Sequence, residues 1–133
     1  MTPNGELAQT LLSQARAHLE SGAVVVHSDP AGAFTLVYDA ARKALTAILV
    51  NQGLRAGGDG AHAVLLDAVT ARLDPPLGAT FRPFTWMRPL RNHTQHPAPE
   101  HPTARTEDVE EALPAAAGMV DAAARLLDQM PAY

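Results

Sequence analysis

The sequence predicts an all-α protein: an up-and-down bundle of four to five helices, one domain over residues 1–133. Three observations predict it. The apolar content is mostly Ala, Leu and Val. Ala favours helix and adds little volume, so a core built from it needs closely packed helices. Apolar residues recur at three- to five-residue spacing along several long segments, and no stretch shows a sheet pattern. At 133 residues the chain has the length of one domain.

Residues 5–20 form the first helix. Leu7, Leu11, Leu12, Ala15 and Leu19 make its apolar stripe, Gln9, Gln14, Arg16 and Glu20 face away, and His18 sits at the boundary. Asn4 is its N-cap and Gly22 its stop. Val24, Val25 and Val26 are β-prone but too few to found a sheet, and read as an extended connector. Residues 29–52 hold the strongest helix, capped by Asp29 with Pro30 in the first turn. Phe34, Val37, Tyr38, Ala41, Ala44, Leu45, Ile48 and Leu49 trace a wide apolar face, against a narrow polar one of Asp39, Arg42, Lys43 and Thr46. A helix with so little polar face is the central one of a bundle. Gly53 ends it.

Residues 54–60, LRAGGDG, read as a loop. A third helix follows over 61–73, with Val64, Leu65, Ala68, Val69 and Leu73 inward, closed by Asp74-Pro75-Pro76 and Gly78. Pro83 then opens a helix that contains Pro89. An internal proline removes one backbone hydrogen bond and clashes with the turn before it. This helix therefore kinks near Thr85 or starts only around Pro89, and it ends at Pro97. The run PAPEHP is a stiff connector. The last helix spans 106–130, with Thr106 as cap and Glu107 and Asp108 in the first turn. Val109, Ala112, Leu113, Ala116, Val120, Ala123, Ala124 and Leu127 face inward, and Pro114 predicts a kink.

Composition narrows the function. Net charge is −4, so bulk electrostatics do not draw the chain to nucleic acid, and any phosphate contact must be local. There is no cysteine, hence no disulfide framework and no thiolate chemistry. The start, MTPNGEL, lacks the basic region and apolar core of a signal peptide. The strongest apolar run, Ala44 to Val50, is far short of a membrane span. A cytoplasmic protein with no membrane partner is expected.

One stretch differs from the rest: Phe81 to His101, FRPFTWMRPLRNHTQHPAPEH. No acidic residue lies between Asp74 and Glu100. The gap holds Arg82, Arg88, Arg91, His93 and His96, together with Phe81, Phe84 and Trp86. A local basic and aromatic surface in an acidic chain is where a functional site is expected. A metal set of His93, His96, Glu100 and His101 finds no matching second helix with Glu-x-x-His, so no metal and no cofactor are expected.

The order of motifs carries a resemblance. An Ala-rich helix, YDAARKALTAIL, precedes a loop and a helix starting GAHAVLLDAV; then come RNHTQH and a last amphipathic helix. Over roughly residues 7 to 128 this resembles the HEPN family of small all-α domains, particularly its single-domain bacterial members. The resemblance implies a homodimer and, in many members, a metal-independent endoribonuclease of stress or toxin type. The family's signature is an arginine, a polar residue beside it and a histidine four to six residues beyond. Here it falls on Arg91, Asn92 and His96. The dimer would bring two copies into one cleft. His62 resembles a structural histidine at the start of the family's third helix. One branch silences its toxins by modifying a tyrosine two residues after the histidine; that position is Ala98 here, so no such control is expected.

The chemistry fits those residue types. Cleaving RNA without a metal needs a base for the 2′-hydroxyl proton and an acid for the leaving 5′-oxygen, and imidazole suits both. A guanidinium stabilises the charge developing on phosphorus oxygens. The products would carry 2′,3′-cyclic phosphate ends. Arg88, His93 and Trp86 are the expected substrate-binding residues, Trp86 or Phe84 by stacking a base. An arginine with a histidine after four to six intervening residues occurs three times: Arg55 with His62, Arg88 with His93, and Arg91 with His96. On an ideal helix Arg91 and His96 lie about 140° apart, so they converge only if the helix end unwinds or a dimer shares the site. Arg88, Asn92 and His96 share one face and make a variant cleft. The alternative function is a non-catalytic module of the same type that binds a nucleotide, RNA or a protein partner such as an antitoxin.

Overall fold

The computed structural model describes residues 4–51, 77–100 and 102–129. Their regular structure is helical: α1 (Gly5–Val25), α2 (Pro30–Asn51), α3 (Leu77–Phe81), α4 (Phe84–Gln95) and α5 (Thr106–Gln129). No strand occurs among the described residues. None of the described helices is long and apolar enough to cross a membrane.

The architecture is organised around α2, as its sequence predicts. Asp29 Oδ1 accepts the Gly32 N–H at 2.9 Å, and its carbonyl accepts the Ala33 N–H at 2.8 Å. Pro30 stands at the first helical position, where its missing N–H has no intrahelical partner to lose. Every residue of the expected apolar face is buried, from Phe34 to Leu49. Asp39, Arg42, Lys43 and Thr46 are half-buried on the remaining strip. α2 packs against α1, α5 and α4. Ala40, Ala41, Ala44 and Ala47 are fully buried along it, which lets these neighbours approach closely.

The structure corrects the end of α1. Asn4 caps it as expected, its Oδ1 accepting the Leu7 N–H at 2.8 Å. Gly22 does not stop it. The helix runs to Val25, and Gly22 is buried against α2. A Cβ there would lie 3.2 Å from Val37 Cγ2 and 3.4 Å from the Ala33 carbonyl oxygen. The glycine is a contact residue that allows two helices to touch. The three valines are not a connector: they belong to the last turn and C-cap, with Val26 buried and Val24 83% exposed. Leu7 is partly exposed, and Ala8 takes its place in the core.

The expected stop at Gly53, the loop over 54–60, the helix over 61–73 with Arg55 and His62, and the Asp74-Pro75-Pro76 turn lie outside the described residues. Gly78 falls within the short helix α3 rather than in a closing turn. α4 is continuous from Phe84, with Pro83 at its N-cap and Pro89 inside it, so the helix does not wait until Pro89 to begin.

At α5, Thr106 is the first helical residue and not the cap. The cap is made by backbone and carboxylate. The Arg105 carbonyl accepts the Asp108 N–H at 3.0 Å, and the Arg105 N–H donates to Asp108 Oδ2 at 2.9 Å. The Thr106 hydroxyl points to the Val26 carbonyl at 3.5 Å, tying the start of α5 to the end of α1. Val109, Ala112, Ala116, Val120 and Ala123 are buried as expected, and Met119, Ala122 and Leu126 join them. Leu113, Ala124 and Leu127 are half-buried at the edge of this face.

Candidate functional site

α4 carries the predicted site, and its sequence fixes which side turns inward. Phe84 and Met87 are one turn apart and buried; Arg91 follows one turn later on the same stripe. Phe84 stacks on Tyr38 of α2, with ring centroids 5.0 Å apart and planes 18° from parallel. Trp86 is half-buried and tilted 45° against Phe34 at 6.3 Å. Phe81 is fully buried. Phe84 and Trp86 therefore dock α4 on α2, Phe81 at the end of α3 belongs to the core, and of the three only Trp86 keeps part of its surface in solvent.

Because Arg91 occupies an inward position, its guanidinium carbon sits 5.2 Å from the centroid of the Tyr38 ring. That is the geometry of a cation–π contact. Its Nε is buried without a hydrogen-bond partner. Among the described residues neither Arg91 nor Arg88 is ion-paired with a carboxylate. Burial pushes the Tyr38 phenol up to about 12, against the pull of Arg91, Arg88 and Arg42, and Asp39 adds to the rise. Tyr38 is thus a protonated phenol at physiological pH and an aromatic platform for cations.

His96 ends the helix. It stands at the C-cap with φ −127° and ψ 72°, and its N–H donates to the Asn92 carbonyl at 3.0 Å. The residue has left the helical path, which removes the angular constraint of a regular helix. His96 and Asn92 are exposed, whereas Arg88, Arg91 and His93 are half-buried. The structure brings Asn92 and His96 together through backbone, and Arg88 and Arg91 together beside Tyr38. It does not join Arg91 to His96 by a hydrogen bond within one protomer.

Two features of the site are not marked by the motif. Tyr38 belongs by its spacing to the core, although a phenol at the edge of an apolar stripe, one turn from Arg42, is the signal of a boundary position. Thr94 carries no signal of its own in the sequence. It is buried, its hydroxyl donates to the Leu90 carbonyl at 2.7 Å, and its Oγ1 accepts the Ala104 N–H at 2.9 Å. This pins the segment after the proline run onto α4. Pro97, the residue after His96, lines an open depression of about 480 Å³ together with Ala98, Pro99, Pro102 and Thr103. Among the described residues no three His, Asp or Glu side chains are grouped to hold a metal ion, and His101 lies outside those residues. Compared with protein-family models, curated proteins and solved structures, the chain matches none.

Proposed function

We propose that this protein is a HEPN-like, metal-independent endoribonuclease whose Arg91, Asn92 and His96 act in a cleft shared by two copies of the chain. The observation that carries this reading is the unwound, exposed end of α4. His96 departs from the helix at the residue where the motif requires it to reach a substrate, and it does so on an acid-free basic helix. Because Arg91 turns inward and His96 outward, a second copy supplies the geometry that a single protomer lacks.

An imidazole takes the 2′-hydroxyl proton while the 2′-oxygen forms a bond to phosphorus. The bond from phosphorus to the 5′-oxygen breaks, and a second imidazole donates a proton to that oxygen. The guanidinium stabilises the charge on the equatorial oxygens. The products are a 2′,3′-cyclic phosphate and a 5′-hydroxyl, and only RNA has the nucleophile. Two His96 side chains, one from each copy, fill the two roles.

One observation favours the alternative of a binding module. Arg91 is held against Tyr38 with its Nε buried, a placement that a purely structural arginine also adopts. The test is RNA cleavage in EDTA by wild type, His96→Ala and Arg91→Ala, each checked for fold by circular dichroism. Loss of cyclic-phosphate products in both folded variants supports the nuclease. A folded wild type that binds RNA but cleaves none sends the assignment to the binding module.

A further inference from the structure

Charge on the described surface is segregated. α5 carries Glu107, Asp108, Glu110, Glu111, Asp121 and Asp128 against Arg125 alone. α4 carries Arg88 and Arg91 and no carboxylate. The polar strip of α2 adds Arg42 and Lys43, with Asp39 as its single acid.

Three of these cations share one neighbour. Arg42 lies one turn beyond Tyr38 on α2. Arg88 lies one turn beyond Phe84, which stacks on Tyr38, and Arg91 covers the Tyr38 ring. The positive charge of all three acts on the phenol. Their compensation is thin. Asp39 forms an ion pair with Arg42 at 3.6 Å, longer than a hydrogen bond, and Arg91 Nε has no hydrogen-bond partner. Converging guanidiniums repel one another, and an oxyanion placed among them relieves that repulsion. Packing on the ring also fixes Arg91 in advance, so less freedom is lost when a ligand binds.

We propose that Arg42, Arg88 and Arg91 form an anion-binding seam between α2 and α4 that takes a backbone phosphate of single-stranded RNA adjoining the one cleaved at His96. This rests on the nuclease reading for the identity of the ligand. It adds a residue from α2, outside the Arg-Asn…His motif, to the RNA-binding surface.

The experiment measures binding of a short single-stranded RNA, 2′-O-methylated throughout so that it cannot be cleaved, as a function of salt. Losing the contact to one phosphate lowers the slope of log K against log salt by about 0.7 for a single strand. The double variant Arg42→Gln/Arg88→Gln is expected to lower it by up to about that amount, each single variant by a part of it, and Arg125→Gln on α5 to leave it unchanged. An unchanged slope in the double variant, or no binding by wild type, overturns the seam even if wild type cleaves RNA. A reduced slope in the variants of a protein that cleaves nothing keeps the seam and overturns the nuclease. A low-salt dimer that Arg42→Gln dissolves, with the RNA slope unaltered, overturns the RNA assignment in favour of the acidic α5 of a second copy.

Discussion

Pro89→Ala separates the stability of α4 from its use. Pro89 is exposed and inside the helix, so the substitution removes no packing. Its ring crowds the Thr85 carbonyl and denies that carbonyl an N–H. Proline in a helix interior costs roughly 3 kcal/mol relative to Ala. Two corrections reduce this. Thr85 is exposed, so water already satisfies its carbonyl in part. Losing the proline also frees the unfolded chain, which returns about 0.4–1 kcal/mol. A net gain of about 1–2 kcal/mol remains, worth roughly 4–8 °C in Tm at this chain length. Function should move the other way. Pro89 separates the half of α4 docked through Phe84 from the half that carries Arg91 and His96. Removing it re-aims the second half, and RNA cleavage is expected to fall while the melting temperature rises. Thermal denaturation followed by circular dichroism gives the first quantity, and initial cleavage rates give the second. Pro114→Ala in α5 is the control, with increased Tm and unchanged cleavage. A Pro89→Ala protein that melts below wild type refutes the energetic argument. One that melts higher with full activity refutes a positioning role for the proline.

Three further outcomes follow from the packing. Lys43 Nζ lies 2.8 Å from His18 Nε2, a hydrogen bond that needs a neutral imidazole. Burial first, and then the Lys43 charge, hold His18 below its usual pKa of 6.5, with Arg42 acting alike and Asp39 opposing. The unfolded chain therefore takes up this proton first. Stability is expected to be highest above about pH 6.5, to fall as pH drops through that value, and to level off below the folded-state pKa. Urea midpoints across roughly pH 5 to 8 should show the slope in wild type and a reduced one in His18→Gln. Thr94→Val leaves the buried Ala104 N–H without an acceptor and should cost about 1–3 kcal/mol in urea unfolding, while Thr94→Ser keeps most of the stability. Gly22→Leu should cost about 1–3 kcal/mol or more by overpacking against Val37. Gly22→Ala should fall within about 1 kcal/mol of wild type, because helix propensity offsets one tight methyl contact.

Legibility depends on how many residues vote together. α2 is legible because a repeat near 3.6 runs through twenty-two residues and the Asp29-Pro30 start agrees with it. Single residues mislead. Gly22 reads the same whether it stops a helix or lets one cross another, and only Val37, packed against it, decides between the two. Val24 to Val26 are too few to override a helix already propagating, since extending one costs far less than starting one. Thr106 and Asp108 can both cap, and the carboxylate does so while the hydroxyl goes to Val26. For the site, the order of Arg91, Asn92 and His96 along the chain supplies candidates but not directions. A helical wheel places Arg91 on the inward stripe with Met87, yet it contains neither Tyr38 nor the unwinding at His96.

Tyr38 connects these findings. It lies on the apolar face of α2 and is fully buried, yet it is stacked by Phe84 and covered by Arg91. One aromatic side chain thus fixes where α4 sits and where the guanidinium sits. That coupling has a consequence for reading mutants. Phe84→Leu removes ring area from the α2–α4 contact and, without touching Arg91, frees the platform on which Arg91 rests. Tyr38→Phe keeps the ring and the platform. If the seam is used for RNA, Phe84→Leu should lower RNA affinity beyond its effect on the folded fraction, and Tyr38→Phe should not lower the slope with salt. Equal loss of affinity and of folded protein in Phe84→Leu would mean that the contact between Tyr38 and Arg91 serves the core alone.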